Sequence, residues 1–161
     1  MNLFRRVLTY RLALYYLAAI LLAALALSVA GIVHQPWINL AFSTAVALLA
    51  CLAVNWAFAR VFGAKSNWES VCITALIIAL IVTPSAPGDF AATGFLVLVS
   101  AWAMASKYII ASGKRHFFNP AAFGAALAGI AFHRTVSWWV GDNAVLLPLI
   151  YLKIIDEFLV S

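Results

Sequence analysis

Five or six apolar stretches, each of membrane length or slightly shorter and separated by brief polar breaks, fill almost the whole of this sequence. A run of about 20 apolar residues crosses the roughly 30 Å of a bilayer's hydrocarbon as a helix. Helices satisfy their own backbone hydrogen bonds in lipid, so consecutive runs of this kind fold as a bundle of helices. Hydrophobic residues make up 66% of the chain and charged ones 9%, a mixture no soluble domain carries. The expected fold class is all-α: a polytopic helical membrane protein of five to six transmembrane helices, in one transmembrane domain over 1–161 and in contact with the lipid bilayer. The expected spans are 12–33, 38–59, 68–83, 91–110, 120–132 and an incomplete 144–160. The first is long enough to cross and lacks a small-residue cleavage site, so it is expected to persist as a helix and not to act as a removable signal.

The breaks between runs carry recognisable helix starts and stops. His34-Gln35-Pro36-Trp37 is a tight break, with an indole suited to the membrane interface. Ser66-Asn67-Trp68-Glu69 reads as a capping box, Ser66 at the cap and Glu69 three residues on. The third helix is short and is stopped by Pro84 and Pro87, with Asp89 in the break that follows. Lys107 falls in the last turn of the fourth, from where it can snorkel toward the cytoplasm. Asn119 is a good N-cap and Pro120 fits the first helical position. The fifth helix is short as well. Ser137-Trp138-Trp139 lies in a polar connection, where paired indoles suit the membrane interface, and Pro148 breaks the final run.

Charge sets the orientation. The N-terminal segment, the loop after the second run and the region from Lys107 to Arg115 hold eight of the ten Lys and Arg residues. The positive-inside rule therefore places the N-terminus in the cytoplasm of a multi-pass protein of the inner (cytoplasmic) membrane. Basic residues distributed over alternate loops are no nucleic-acid footprint, so no nucleic-acid partner is expected. Cys51 and Cys72 fall inside apolar runs and read as small apolar residues. The acidic residues are scattered and His34, His116 and His133 lack ligand spacing, which removes hydrolytic and metal-centred chemistry from consideration. Asp89 and Asp142 fall in outer loops as solvated carboxylates, with a role in ion access as the sharper alternative.

One stretch combines several signals. Lys114, Arg115 and His116 stand just before the Asn119-Pro120 helix start, whose free N–H groups and dipole favour anions. A phosphate-bearing ligand fits there; a basic loop serving topology and headgroup contact fits equally. Gly124, Ala125, Ala128 and Gly129 then give small-xxx-small spacing, so another helix can approach closely. Short hydrophobic segments are the sequence pointer to broken helices that line a site within a membrane protein. Ser70 and Thr74, in the first half of the short third helix, are the candidate groups for a solute path.

Phe118-Asn119-Pro120-Ala121, preceded by the lysine-bearing Ala105-Ser106-Lys107 helix and the basic loop, resembles the phenylalanine-asparagine-proline-alanine motif of the NqrB/RnfD family. Those proteins are membrane subunits of the sodium-pumping NADH:quinone reductase and of the Rnf electron-transport complex. The segment from Ser70 to Leu76, running on to Thr83-Pro84, is similar to that family's threonine-containing helix that ends at a proline. The likeness covers roughly residues 66 to 140. It implies a urea-transporter-like fold of about ten helices in two related halves, with this chain corresponding to one half as a short form, a truncation, or a module joined to a soluble reductase. It implies flavin in an electron path, with Lys114, Arg115, His116 and Asn119 as the residues that would meet its phosphate. The family's serine-glycine-alanine-threonine motif, whose threonine carries covalent flavin mononucleotide (FMN), is missing here, so FMN or another flavin is expected to bind non-covalently.

The leading expectation is a subunit of a flavin-linked electron-transport oxidoreductase, coupled or not to ion movement, working with other membrane subunits or a soluble flavin or ferredoxin reductase domain. A second copy of the chain would be one way to complete ten helices. A small-solute transporter or channel module using Ser70 and Thr74 is the alternative from another class. A membrane anchor for a soluble reductase is the third.

Overall fold

The computed structural model describes residues 2–64, 67–109, 119–133 and 136–141. Five α-helices follow one another: α1 (Asn2–Val29), α2 (Trp37–Phe62), α3 (Trp68–Ile81), α4 (Phe90–Ile109) and α5 (Pro120–Phe132). Segments Tyr10–Val29, Trp37–Phe62 and Phe90–Ile109 are each long and apolar enough to cross a membrane. The other two helices are apolar and shorter. Over the described residues the protein is thus all-α, with three helices of spanning length. The run at 144–160, and Lys114, Arg115 and His116, lie outside the described residues.

Short α3 is the central element and touches each of the other four helices. Its sequence is apolar on every side, which suits a helix surrounded by protein. Val71, Ala75, Ile78 and Val82 join Ala47 and Cys51 of α2, Val99, Ala103 and Met104 of α4 and Ala121, Ala125 and Ala128 of α5 in the main core. A second core places Leu76 and Leu80 of α3 against Ile20, Leu21 and Ala24 of α1, with Trp139 and Val140 closing one end. The closest helix pairing is α4 with α5. A methyl group on Gly124 would lie 2.5 Å from the Val99 carbonyl oxygen and 2.7 Å from the Ala103 nitrogen. The small-residue face read from the sequence is what lets the two backbones meet.

The helix ends differ from the sequence expectation in ways with local causes. Helix α1 starts at Asn2, ten residues before the apolar run, in a segment whose Arg and Leu residues are good helix formers. It ends at Val29, four residues early, where Gly31 adopts φ 72° and Ile32 N–H folds back onto the Leu27 carbonyl at 2.9 Å. Helix α2 runs on to Phe62 and is closed by Gly63 at φ 58°, whose N–H bonds the Ala59 carbonyl. Helix α3 ends at Ile81, because Val82 is already extended ahead of the Thr83-Pro84 pair. Its start also corrects the capping-box reading. Asn67 is the N-cap, accepting from Ser70 N–H at 3.4 Å, so Glu69 sits one position too early to close a box. Glu69 instead accepts from Arg11 Nε at 3.0 Å, tying α1 to the start of α3.

Candidate functional site

Helix length decides where polar chemistry collects. At 1.5 Å per residue, the 14 residues of α3 cover about 21 Å, against roughly 39 Å for the 26 of α2 beside it. Helix α3 begins level with the Arg60 end of α2 and therefore stops well short of the Trp37 end. Non-helical backbone among apolar helices needs its polar groups satisfied by protein or by a wet cavity. Both occur here.

At the Trp37 end, the segment after α3 is held by side chains from three other elements. Ser85 N–H donates to Ser43 Oγ of α2 at 2.7 Å, and the two hydroxyls lie 3.2 Å apart. Thr93 Oγ1 of α4 donates to Ser85 Oγ at 3.4 Å, and Thr83 pairs with Ser137 through their hydroxyls. Trp139 Nε1 donates to the Ala79 carbonyl at 3.1 Å. That carbonyl is one of the last four of α3, which the helix itself cannot satisfy. A cavity of about 370 Å³ opens over this segment, lined by Asn39, Thr83, Ser85, Asp89 and Phe95 among others. Asp89 is more than a solvated loop carboxylate. Its Oδ1 accepts from Ala92 N–H at 2.9 Å and so caps α4, while the residue lines the cavity.

At the Arg60 end, Lys107 is half-buried and turns inward, which corrects the expectation that it snorkels outward. Its ammonium donates to the Ser70 carbonyl at 2.9 Å and to Ser70 Oγ at 3.1 Å. Thr74 Oγ1 donates to the same carbonyl at 2.9 Å. The structure thus brings Ser70 and Thr74 together, around a lysine from α4. Next to this group, Tyr108 O–H donates to Asn55 Oδ1 at 2.7 Å. Among the described residues, no carboxylate lies within ion-pair distance of Lys107. Its favourable partner by charge is the C-terminal end of its own helix.

Asn119 caps α5, accepting from Ala121 N–H at 3.0 Å with Pro120 behind it. Phe123 N–H bonds the Asn119 carbonyl at 3.0 Å. Over residues 120–123, Pro120 has no N–H and two amides are already engaged, so at most Ala122 offers one to an outside anion. The anion-binding capacity that the sequence assigns to this helix start falls chiefly on the basic residues ahead of it. Cys51 is buried and Cys72 half-buried, both free thiols. Among the described residues no three His, Cys, Asp or Glu side chains converge as a metal site.

Sequence reasoning passes over Ser43 and Ser85, assigns Thr93 no role, and names Trp139 only as one of a pair of interface indoles. The signal for Ser85 was present, since Thr83-Pro84-Ser85-Ala86-Pro87-Gly88 is polar and irregular between two apolar runs. Ser43 and Thr93 carry no such mark, because single hydroxyls in apolar helices commonly bond their own backbone, as Thr44 does to the Leu40 carbonyl at 2.7 Å. No protein-family model, curated protein or solved structure matches this chain.

Proposed function

We propose that the chain is a membrane subunit of a flavin-linked electron-transfer system of the NqrB/RnfD kind, with its N-terminus and the Arg60 end of the bundle on the cytoplasmic side. The observation that carries this reading is the Asn119-Pro120 motif acting as a helix cap. It starts a short helix locked by Gly124 onto the lysine-bearing α4, the context in which the resemblance was drawn. Flavin, when bound, would supply the redox chemistry, and the protein's part is to hold and orient it. Lys114, Arg115 and His116 would meet its phosphate, with Asn119 fixing the helix start beside them. Because the first turn of α5 is largely satisfied from within, phosphate affinity depends on these basic side chains and weakens with salt. Other membrane subunits or a soluble flavin or ferredoxin reductase would supply and remove electrons.

Absorption and fluorescence spectra of the detergent-purified protein, before and after acid precipitation, test the proposal. Flavin released into the supernatant is the expected result. No flavin in either fraction, after resupply during purification, would sink the redox reading.

A small-solute or ion path is the second reading, favoured by the polar cavity over the end of α3. Asp89→Asn separates its two roles, since asparagine retains the N-cap and removes the charge. Reduced cation flux in proteoliposomes with an unchanged melting temperature supports a path through this cavity. Unchanged flux leaves Asp89 as a cap alone.

A further inference from the structure

The Arg60 end of α2 carries a second site, which adjoins the Lys107 group and shares Asn55 with it. Helix α2 is the longest of the spanning segments, and it exposes two tryptophans nineteen positions apart, Trp37 at 50% and Trp56 at 59%. At 1.5 Å per residue, that spacing is about 28 Å, close to the thickness of the hydrocarbon core. Indoles settle at the two membrane interfaces, so this pair fixes the depth of the helix. Arg60 follows one turn later, about 6 Å further along the axis and hence at the level of lipid phosphates.

The local structure is shaped around that cation. The Arg60 guanidinium lies over the Trp56 ring, 4.2 Å from its centroid, a cation–π contact that tethers the charge beside the indole. Beside it opens a cavity of about 420 Å³, lined by Leu52, Asn55, Ala59, Ala64 and Trp68 together with Trp56 and Arg60. Trp68 is 64% exposed, an unusual state for a large indole at the first position of a helix unless it too faces the interface. Asn55 is held by the Tyr108 hydroxyl, and the Tyr108 ring packs in turn on Phe58 and Phe62, with ring centroids of the three 5.7–6.0 Å apart. Among the described residues, no carboxylate comes within ion-pair distance of Arg60. A mostly apolar lining with two indoles, beside a guanidinium that has no carboxylate partner among the described residues, fits an amphiphile with an anionic head.

We propose that the Arg60–Trp56–Trp68 recess binds the phosphate headgroup of an anionic phospholipid, with the upper part of an acyl chain along Leu52. The proposal rests on α2 crossing the bilayer and is independent of the flavin reading. Extraction of the protein from membranes by detergent but not by alkaline carbonate checks the span separately.

The site itself is tested by titrating the full chain in detergent with brominated phosphatidylglycerol or brominated phosphatidylcholine and following tryptophan quenching. Wild type is expected to reach half-quenching at about fivefold lower phosphatidylglycerol than phosphatidylcholine, the preference one basic residue gives at a membrane surface. In Arg60→Gln that ratio should fall to near one, Arg60→Lys should keep part of it, and Trp56→Phe should lower the quenching amplitude. Equal response to the two lipids in wild type, or an unchanged ratio in Arg60→Gln, overturns the proposal. So does an equal loss of the ratio in both Arg60 variants. Displacement of the phosphatidylglycerol signal by millimolar inorganic phosphate would identify a site for a soluble phosphate ligand and also overturn the lipid assignment.

Discussion

Gly124 and Gly94 show how much the meaning of a residue type depends on its neighbours. A Cβ at Gly124 would meet the Val99 carbonyl oxygen at 2.5 Å, the Ala103 nitrogen at 2.7 Å and the Ala103 Cβ at 2.8 Å. Two of these are backbone atoms of α4 and cannot rotate away. Gly94, also on α4, has nothing within 4 Å of the equivalent position. Gly124→Ala is therefore expected to force α4 and α5 apart and to destabilise the bundle by about 1–3 kcal/mol, the usual cost of overpacking. Gly94→Ala should leave stability unchanged or raise it by up to about 1 kcal/mol through helix propensity. Thermal unfolding of the two variants in the same detergent compares them directly. Equal melting temperatures would mean that the close crossing is not a stability determinant. The sequence exposed this contact in part: the small-residue spacing around Gly124 announces a close approach, but only the structure says that α4 receives it.

At the level of the element, α3 is the case where reading and structure diverge most usefully. Its shortness, its proline stop and its all-round apolar character were legible, because each is a local property of consecutive residues. What was not legible is how the chain tolerates stopping early among apolar helices. The answer lies in long-range partners such as Ser43 to Ser85 and Trp139 to Ala79, separated by 42 and 60 positions. The same limit applies to Lys107. Its position near a helix end predicts an outward reach, and only the proximity of Ser70 turns it inward. Paired tryptophans at 138 and 139 read as interface anchors, yet just one of them behaves so: Trp138 is exposed, whereas Trp139 is buried and satisfies the end of α3. Trp139→Phe retains most of the apolar volume and removes the indole donor. It should cost about 1–3 kcal/mol, the penalty of leaving a buried carbonyl unpaired. Trp138→Phe should cost far less. Similar losses for both variants would show that the Trp139 hydrogen bond adds nothing beyond ring burial.

Across the molecule as a whole, the helices share one axis, along which α1, α3 and α5 run one way and α2 and α4 the other. One end gathers Arg11, Arg60 and Lys107, and the other gathers Trp37, Asp89 and the hydroxyl-lined cavity. Charge asymmetry of this kind orients membrane proteins with the basic end in the cytoplasm. The prediction can be read from two exposed positions at opposite ends, Pro87 in the segment before α4 and Ala64 just after α2. In a Cys51→Ala, Cys72→Ala background, Pro87→Cys should react with a membrane-impermeant maleimide on intact spheroplasts. Ala64→Cys should react only once the membrane is opened. The opposite pattern would put the Lys107 and Asn119 end outside, away from any cytoplasmic electron donor, and the electron-transfer reading would lose its geometry. Labelling of both positions from outside would mean that α3, the helix between them, does not carry the chain across the bilayer.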